Sequence, residues 1–345
     1  MKPFYWQGTT NFGDYLNHWL WPEILGDYLE TDGVRLIGIG SLLKSSLNYL
    51  EGTKVIFGTG SGYGAVPDKT KFEDWLFYFV RGPLTAGLFD LDPKKSIVDG
   101  AWLISQVKKY QVIPEKKGVS FIPHWTTAET GNWRKICEIA NIQFINPMDD
   151  LDDVLTKIAK SEFVITESLH GAIIADYFRT PWVPVSISPK FLPFKWVDWF
   201  QSVGLDAEMY QIPLSDVFEY MYCGQSRRNI NYLSSMQPIV SDVIVEEAKE
   251  VVIAKPGLVY KSKTLLRGKA KSCRSSLLRG SLHFRDNIVV SDWNNRHQDL
   301  VAKMFTEICK GRFFLSMDSV RQQKIEQLSE VTEKLKADYN LNLIK

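Results

Sequence analysis

Over the first two thirds of this chain, short apolar runs alternate with longer amphipathic ones. Runs of four or five β-branched or aromatic residues recur, each broken by a polar or glycine-bearing turn and followed by apolar positions at helical spacing. Residues 34–37, 54–57 and 76–80 read as strands in the first part, and residues 118–122, 143–147, 163–166 and 181–187 in the second. Helices are predicted over 15–29, with Leu16, Leu20, Ile24 and Leu25 on one face and Asn11 or Asp14 as cap, and from Ser41 onward. Further helices are predicted after Pro83, over 149–160 with an acidic start, over 171–177, and from 193 to Gly204. Beyond residue 212 the alternation stops, and helices are predicted over 214–223, 239–252 and 316–340. This pattern implies an α/β protein with two Rossmann-like, doubly wound, mostly parallel sheets facing a cleft. The domains expected are 1–112, 113–212 with the candidate ligand site, and a mainly helical extension over 213–345, with 111–117 as the linker.

Composition narrows the class. A chain of 345 residues with 45% hydrophobic and 23% charged residues suits a soluble globular protein, and a net charge of +1 argues against a nucleic-acid-binding surface. Cys137, Cys223, Cys273 and Cys309 are scattered without metal-ligand spacing and read as reduced thiols. With no signal-peptide pattern and no apolar run of about 18 residues, a cytoplasmic protein is expected. Charge is uneven, however: residues 251–285 hold nine lysines and arginines, interleaved leucines and no acid. Such a stretch suits an anionic membrane surface or a diphosphate-bearing acceptor, or is simply a solvated positive face. Eleven tryptophans serve equally for cores or for sugar stacking.

Candidate chemistry gathers where an α/β fold binds ligands, at strand ends that lead into helices. Val164 to Ala175 reads as a buried strand, a polar turn and a small-residue helix, with Leu169 and His170 at the junction. A titratable ring thus meets a helix N-terminus, whose free N–H groups and dipole favour an anion; capping or core filling is the alternative. Arg81 follows a strand and Lys195 starts a helix. An arginine fork and a lysine point charge would together hold a small, multiply charged anion, although Arg81 suits a structural salt bridge as well. Asp14 lies at a glycine turn beside Asn11, His124 follows Pro123, and Gly60 sits in a glycine-rich loop where backbone can approach a ligand. Asp149, Asp150, Asp152 and Asp153 sit where a helix start wants caps, so no metal site is expected. Phosphate-loop, nucleophile-elbow and zinc-protease motifs do not occur in the sequence.

The ordered set Asn11-Phe12-Gly13-Asp14, residues 55–64, Arg81-Gly82-Pro83-Leu84-Thr85, Ile122-Pro123-His124, Ser168-Leu169-His170-Gly171 and Lys195 upstream of Val203-Gly204-Leu205 resembles the polysaccharide pyruvyltransferase family, especially its succinoglycan-type, ketal-forming branch. The match covers roughly residues 5–205. The resemblance implies a fold like the two-domain GT-B glycosyltransferases, phosphoenolpyruvate as donor, and a sugar diol in a lipid-linked exopolysaccharide or capsule precursor as acceptor. It implies no cofactor beyond that co-substrate. Carried over by position, Arg81, His170 and Lys195 would hold phosphoenolpyruvate, with His170 central to catalysis. Leu169 is expected beside them as a donor contact, Asn11 and Gly60 as acceptor or loop contacts, and Asp14 or His124 as the group that accepts the sugar proton. Many relatives carry arginine where this chain has Ser168, which implies one donor contact fewer. The alternatives are a sugar-nucleotide glycosyltransferase on the same architecture and a non-catalytic carbohydrate- or membrane-binding module.

Overall fold

The alternating pattern resolves into two sheets in the computed structural model, which describes residues 1–29, 33–112, 114–188, 191–223, 238–239 and 288–344. The first sheet contains β1 (Lys2–Phe4), β2 (Val34–Ile37), β3 (Thr53–Phe57) and β4 (Trp75–Phe79), side by side in that order and all parallel. The second contains β5 (Val119–Ile122), β6 (Gln143–Phe144), β7 (Phe163–Thr166), β8 (Trp182–Ser186), β9 (Met209–Gln211) and β10 (Pro238–Ile239). Its spatial order is β6-β5-β7-β8-β9-β10, parallel throughout except for β10. Parallel strands are covered on both faces, so they read as unbroken apolar runs, and most of these strands were legible for that reason.

The second sheet has the reversal of strand order that a doubly wound sheet requires. From β5 the chain steps to β6 on one side and returns to β7 on the other. The crevice at the carboxyl ends of β5 and β7 is therefore the place where such a sheet binds ligands. The first sheet departs from the expectation: β1 to β4 run in sequence without reversal.

Ten helices are described: α1 (Phe12–Leu25), α2 (Pro83–Leu88), α3 (Trp125–Thr130), α4 (Trp133–Ala140), α5 (Leu151–Lys160), α6 (Leu169–Tyr177), α7 (Pro193–Ser202), α8 (Val217–Cys223), α9 (Ile288–Ile308) and α10 (Asp318–Asn340). Two helix expectations fail for local reasons. The helix expected from Ser41 is only a 3-10 turn over Ser45–Tyr49, because the Leu42 and Leu43 N–H groups donate to Thr59 Oγ1 and the Gly60 carbonyl at 3.1 and 3.2 Å. Ile239, expected to open a helix, pairs as β-strand with Met209. The rest of that segment and the basic run 251–285 lie outside the described residues. α1 begins at Phe12 rather than at Tyr15, with Asn11 at its N-cap position.

The larger apolar core joins both halves. It contains Leu36, Val55 and Phe57 of the first sheet, Ala172 and Ile173 of α6, and Trp196 and Trp199 of α7. The smaller core lies on the far face of the second sheet, where Phe121, Trp133, Ile165 and Val183 pack with Val301, Phe305 and Ile308 of α9. Trp21, Trp102, Trp133, Trp182, Trp196 and Trp199 are fully buried, so most of the tryptophan content serves packing. α10 returns to the first half, where Gln106 donates to Thr332 Oγ1 at 3.1 Å and Tyr78 to Asp338 at 2.8 Å. The described part of the extension thus seals both halves. Among the described residues no helix is long and apolar enough to cross a membrane.

Candidate functional site

The site is a recess between the carboxyl ends of the two sheets. The loops after β2, β3 and β4 bring Ser41, Ser61 and Arg81, and a 3-10 turn over Gly100–Gln106 is capped by Asp99. From the other side come His170 in the first turn of α6 and Lys195 in the first turn of α7, while α1 supplies Gly13 and Asp14.

Arg81 lies within the wall, not on its surface. The residue is fully buried; its Nε donates to Asp198 Oδ2 at 2.9 Å, one terminal nitrogen to Ser41 Oγ at 2.9 Å and the other to the Ser61 carbonyl at 2.7 Å. Asp198 is equally buried and also accepts from the Thr85 N–H and hydroxyl at 2.9 and 2.7 Å. Further hydrogen bonds of this kind offset the desolvation cost of a buried pair. Of the two roles open to Arg81, the salt bridge is therefore realised. Its Nε and its two terminal nitrogens each donate once, to Asp198, Ser41 and Ser61. Gly60 stands against it: a Cβ there would lie 2.3 Å from Arg81 Cζ, so Gly60 makes room for arginine.

His170 and Lys195 face the recess. The His170 ring lies edge-on to Phe12, and a Cβ on Gly13 would meet its Nδ1 at 2.1 Å. Its Nε2 is buried without a hydrogen-bond partner among the described residues, 4.0 Å from Asp99 Oδ1. Burial, with Lys195 and Arg81 nearby, pushes the imidazole pKa down to about 3. Lys195 is buried and makes no salt bridge among the described residues; its ammonium donates to the Tyr63 hydroxyl at 3.3 Å and lies 5.5 Å from that ring's centre. Asp99 accepts from the Ala101 N–H at 2.9 Å, its Oδ2 has no partner, and burial raises its pKa to about 6 against the pull of Arg81. Burial also raises Asp14, opposed by the Asn11 amide donating to it at 2.9 Å and by Lys195.

The other expected residues lie around this recess. Leu169 is buried in the first turn of α6, and Ser168 caps that helix by accepting from the Gly171 N–H at 3.3 Å. His124 is the N-cap of α3, at the end of β5, with its Nδ1 2.8 Å from Thr126 Oγ1. Glu167, fully buried, ties three loops at the edge of the second sheet by accepting from the N–H groups of His124, Ile187 and Ser188 at 3.0, 3.3 and 2.7 Å. The acidic run 149–153 does what its position suggested, since Asp150 caps α5 through the Asp153 N–H.

Four participants escaped sequence reasoning: Asp99, Asp198, Ser41 and Tyr63. Two left a signal. Asp198 is a lone acid inside Trp196-Val197-Asp198-Trp199-Phe200, and an acid on a buried helix face needs a buried partner. Asp99 stands before Gly100-Ala101, where an acid suits the cap of the turn that follows. As a whole the site holds a buried cation with no salt bridge among the described residues, an imidazole of lowered pKa, two carboxyls of raised pKa and three helix N-termini. Cations and helix N-termini of this kind favour an anion, and groups of shifted pKa favour proton transfer.

Residues 50–189 match the family described as polysaccharide pyruvyl transferase. Succinoglycan biosynthesis protein ExoV of Rhizobium meliloti (strain 1021) is 38% identical over 226 residues, 65% of this chain and 72% of that protein. No solved structure matches the chain.

Proposed function

The chain belongs to the polysaccharide pyruvyl transferase family, and on that premise we propose that it moves the enolpyruvyl group of phosphoenolpyruvate onto two hydroxyls of one sugar. The protein is an enzyme that transfers pyruvyl groups to an exopolysaccharide; the donor, the ketal product and a lipid-linked precursor as acceptor are our reading. The observation that carries it is the buried Lys195 ammonium, without a carboxylate partner among the described residues, beside His170 and the N-termini of α6 and α7. A donor with both a phosphate and a carboxylate matches this field.

To form a ketal, the methylene carbon of phosphoenolpyruvate takes a proton while a sugar hydroxyl adds to the adjacent carbon and loses its own. The second hydroxyl then displaces phosphate from that carbon and is deprotonated in turn. Atoms and charge balance without any redox step, so no cofactor is called for. His170 delivers the first proton. Burial, Lys195 and Arg81 favour its neutral form. An arriving anion offsets those two cations and raises the ring's proton affinity, so that binding itself arms the acid. Asp14, steadied by Asn11, takes a hydroxyl proton, and His124 stands by the acceptor. Arg81 adds its charge from within the wall, and Lys195 holds the donor directly.

We read the two facing parallel sheets as a GT-B-like arrangement. We also assign the basic run 251–285 to an anionic membrane surface, where lipid-linked glycans are built, which places the enzyme on the cytoplasmic face. High salt should release it from anionic vesicles; binding that ignores salt, or no binding at all, would end that assignment.

The donor reading has a direct test. Saturating phosphoenolpyruvate, at a hundred times its dissociation constant, should stabilise the protein by about 2.7 kcal/mol in thermal unfolding. His170→Ala should lose at least about a hundredfold in turnover. Stabilisation by a sugar nucleotide but not by phosphoenolpyruvate would favour a glycosyltransferase, and near-normal turnover of His170→Ala would rule out the proton role.

A further inference from the structure

Two neighbouring side chains of the site each keep a buried polar atom without a hydrogen-bond partner among the described residues. They are His170 Nε2 and Asp99 Oδ2, and the ring nitrogen stands 4.0 Å from the other oxygen of that carboxyl, Oδ1, which accepts from the Ala101 N–H. Asp99 is fully buried and His170 is 13% exposed. Leaving such groups unsatisfied costs about 1–3 kcal/mol each, so an arrangement that keeps both has a use for them. The separation is about 1 Å longer than an N–H···O bond, the kind of gap that closes when a ligand tightens a site.

We propose that Asp99 and His170 form one proton-holding pair, in which Asp99 sets the tautomer of the imidazole and replaces the proton that His170 delivers. Asp99 is a positioning residue: it acts on the ring and touches no substrate. In the step itself, the far ring nitrogen gives its N–H proton to the methylene carbon, and the Asp99 carboxyl passes its proton to Nε2. Asp99 is left as carboxylate and the ring as the opposite neutral tautomer, until a proton from water restores both. The surrounding charges are Arg81 from the end of β4, Lys195 and Asp198 from α7, and Asp14 from α1. Burial pushes the Asp99 carboxyl up to about 6 and the ring down to about 3, so of the two groups Asp99 is the one that takes up a proton first as pH falls.

The catalytic part rests on the phosphoenolpyruvate reading, whereas the pairing does not, and the test separates the two. The full-length protein is labelled with 15N-histidine, and His170 is assigned from His170→Gln among the five histidines. In the unliganded wild type, the His170 ring nitrogens should exchange tautomer with a midpoint near 6, as Asp99 changes from acceptor to donor. Asp99→Asn keeps an oxygen for the Ala101 N–H and should abolish that step. It should also lower turnover about a hundredfold, with little change in KM for phosphoenolpyruvate, and Asp99→Glu should restore part of it. A wild-type ring that shows no tautomer step near 6, or an Asp99→Asn protein with an unchanged ring titration, overturns the pairing. If phosphoenolpyruvate fails to stabilise the wild type, the donor reading falls and the tautomer step still decides this one.

Discussion

Gly13 shows how narrowly the site is set at the scale of single residues. A methyl group there would stand 2.1 Å from His170 Nδ1, so one of the two must move. Gly13→Ala should therefore keep the far-ultraviolet circular dichroism of the native protein while losing about a hundredfold in turnover, since an ångström-scale misplacement costs that much. Unchanged turnover would mean that the ring position is uncritical. The Arg81–Asp198 pair makes a different prediction. Removing one partner leaves a buried charge without compensation, so Asp198→Ala should cost about 3–5 kcal/mol in denaturant unfolding. A loss below about 1 kcal/mol would show that Arg81 finds solvent after all. Arg81 was legible as a functional position because it follows a strand, but its role was not: which anion a guanidinium meets depends on α7, which arrives more than a hundred residues later in the chain.

The strand-to-helix units that carry the site were readable from hydrophobic period alone. β7 and α6 fall where β-branched residues give way to a polar turn, and Ser168 fits that turn as a cap. Ser168→Ala should cost about 1 kcal/mol in thermal unfolding, while phosphoenolpyruvate affinity changes little. A large loss of affinity instead would assign the hydroxyl to the donor. α9 was missed, and the reason lies in its buried polar residues. Asn294, His297 and Gln298 are all buried, with His297 bonded to the Leu214 carbonyl at 2.6 Å, and they interrupt the apolar stripe by which an amphipathic helix is recognised.

For the whole molecule, the C-terminal helices tie the halves together and α8 adds a pH dependence. Glu219 is fully buried, bonded to Trp133 Nε1 at 3.1 Å and to the Ser215 N–H, and burial raises its pKa from 4.5 to about 7. Between those two values the folded protein binds more protons at this site than the unfolded chain does. By linkage, its contribution to stability is present at low pH and is lost as pH rises through the folded value. The slope of unfolding free energy against pH, between about 5 and 7.5, should thus be less negative in Glu219→Gln than in the wild type. Equal slopes would mean that Glu219 titrates normally. Leu335 of α10 is fully buried against the first half, and Leu335→Ala should cost about 2–5 kcal/mol in the same measurement.

The sequence by itself determined the α/β alternation, the strand ends that bear Arg81 and the His124 turn, the helix starts at His170 and Lys195, and the family resemblance. All of these are local: they follow from side-chain period, caps and turns within about a dozen residues. Only the tertiary structure decided that Arg81 is consumed by Asp198, that Asp99 faces His170, that Lys195 stays unpaired among the described residues, and that β1 to β4 lie in unreversed order. Each of these depends on the distance between segments far apart in the chain. Charge and burial act through space, and a periodic pattern along the chain carries no record of which elements will meet.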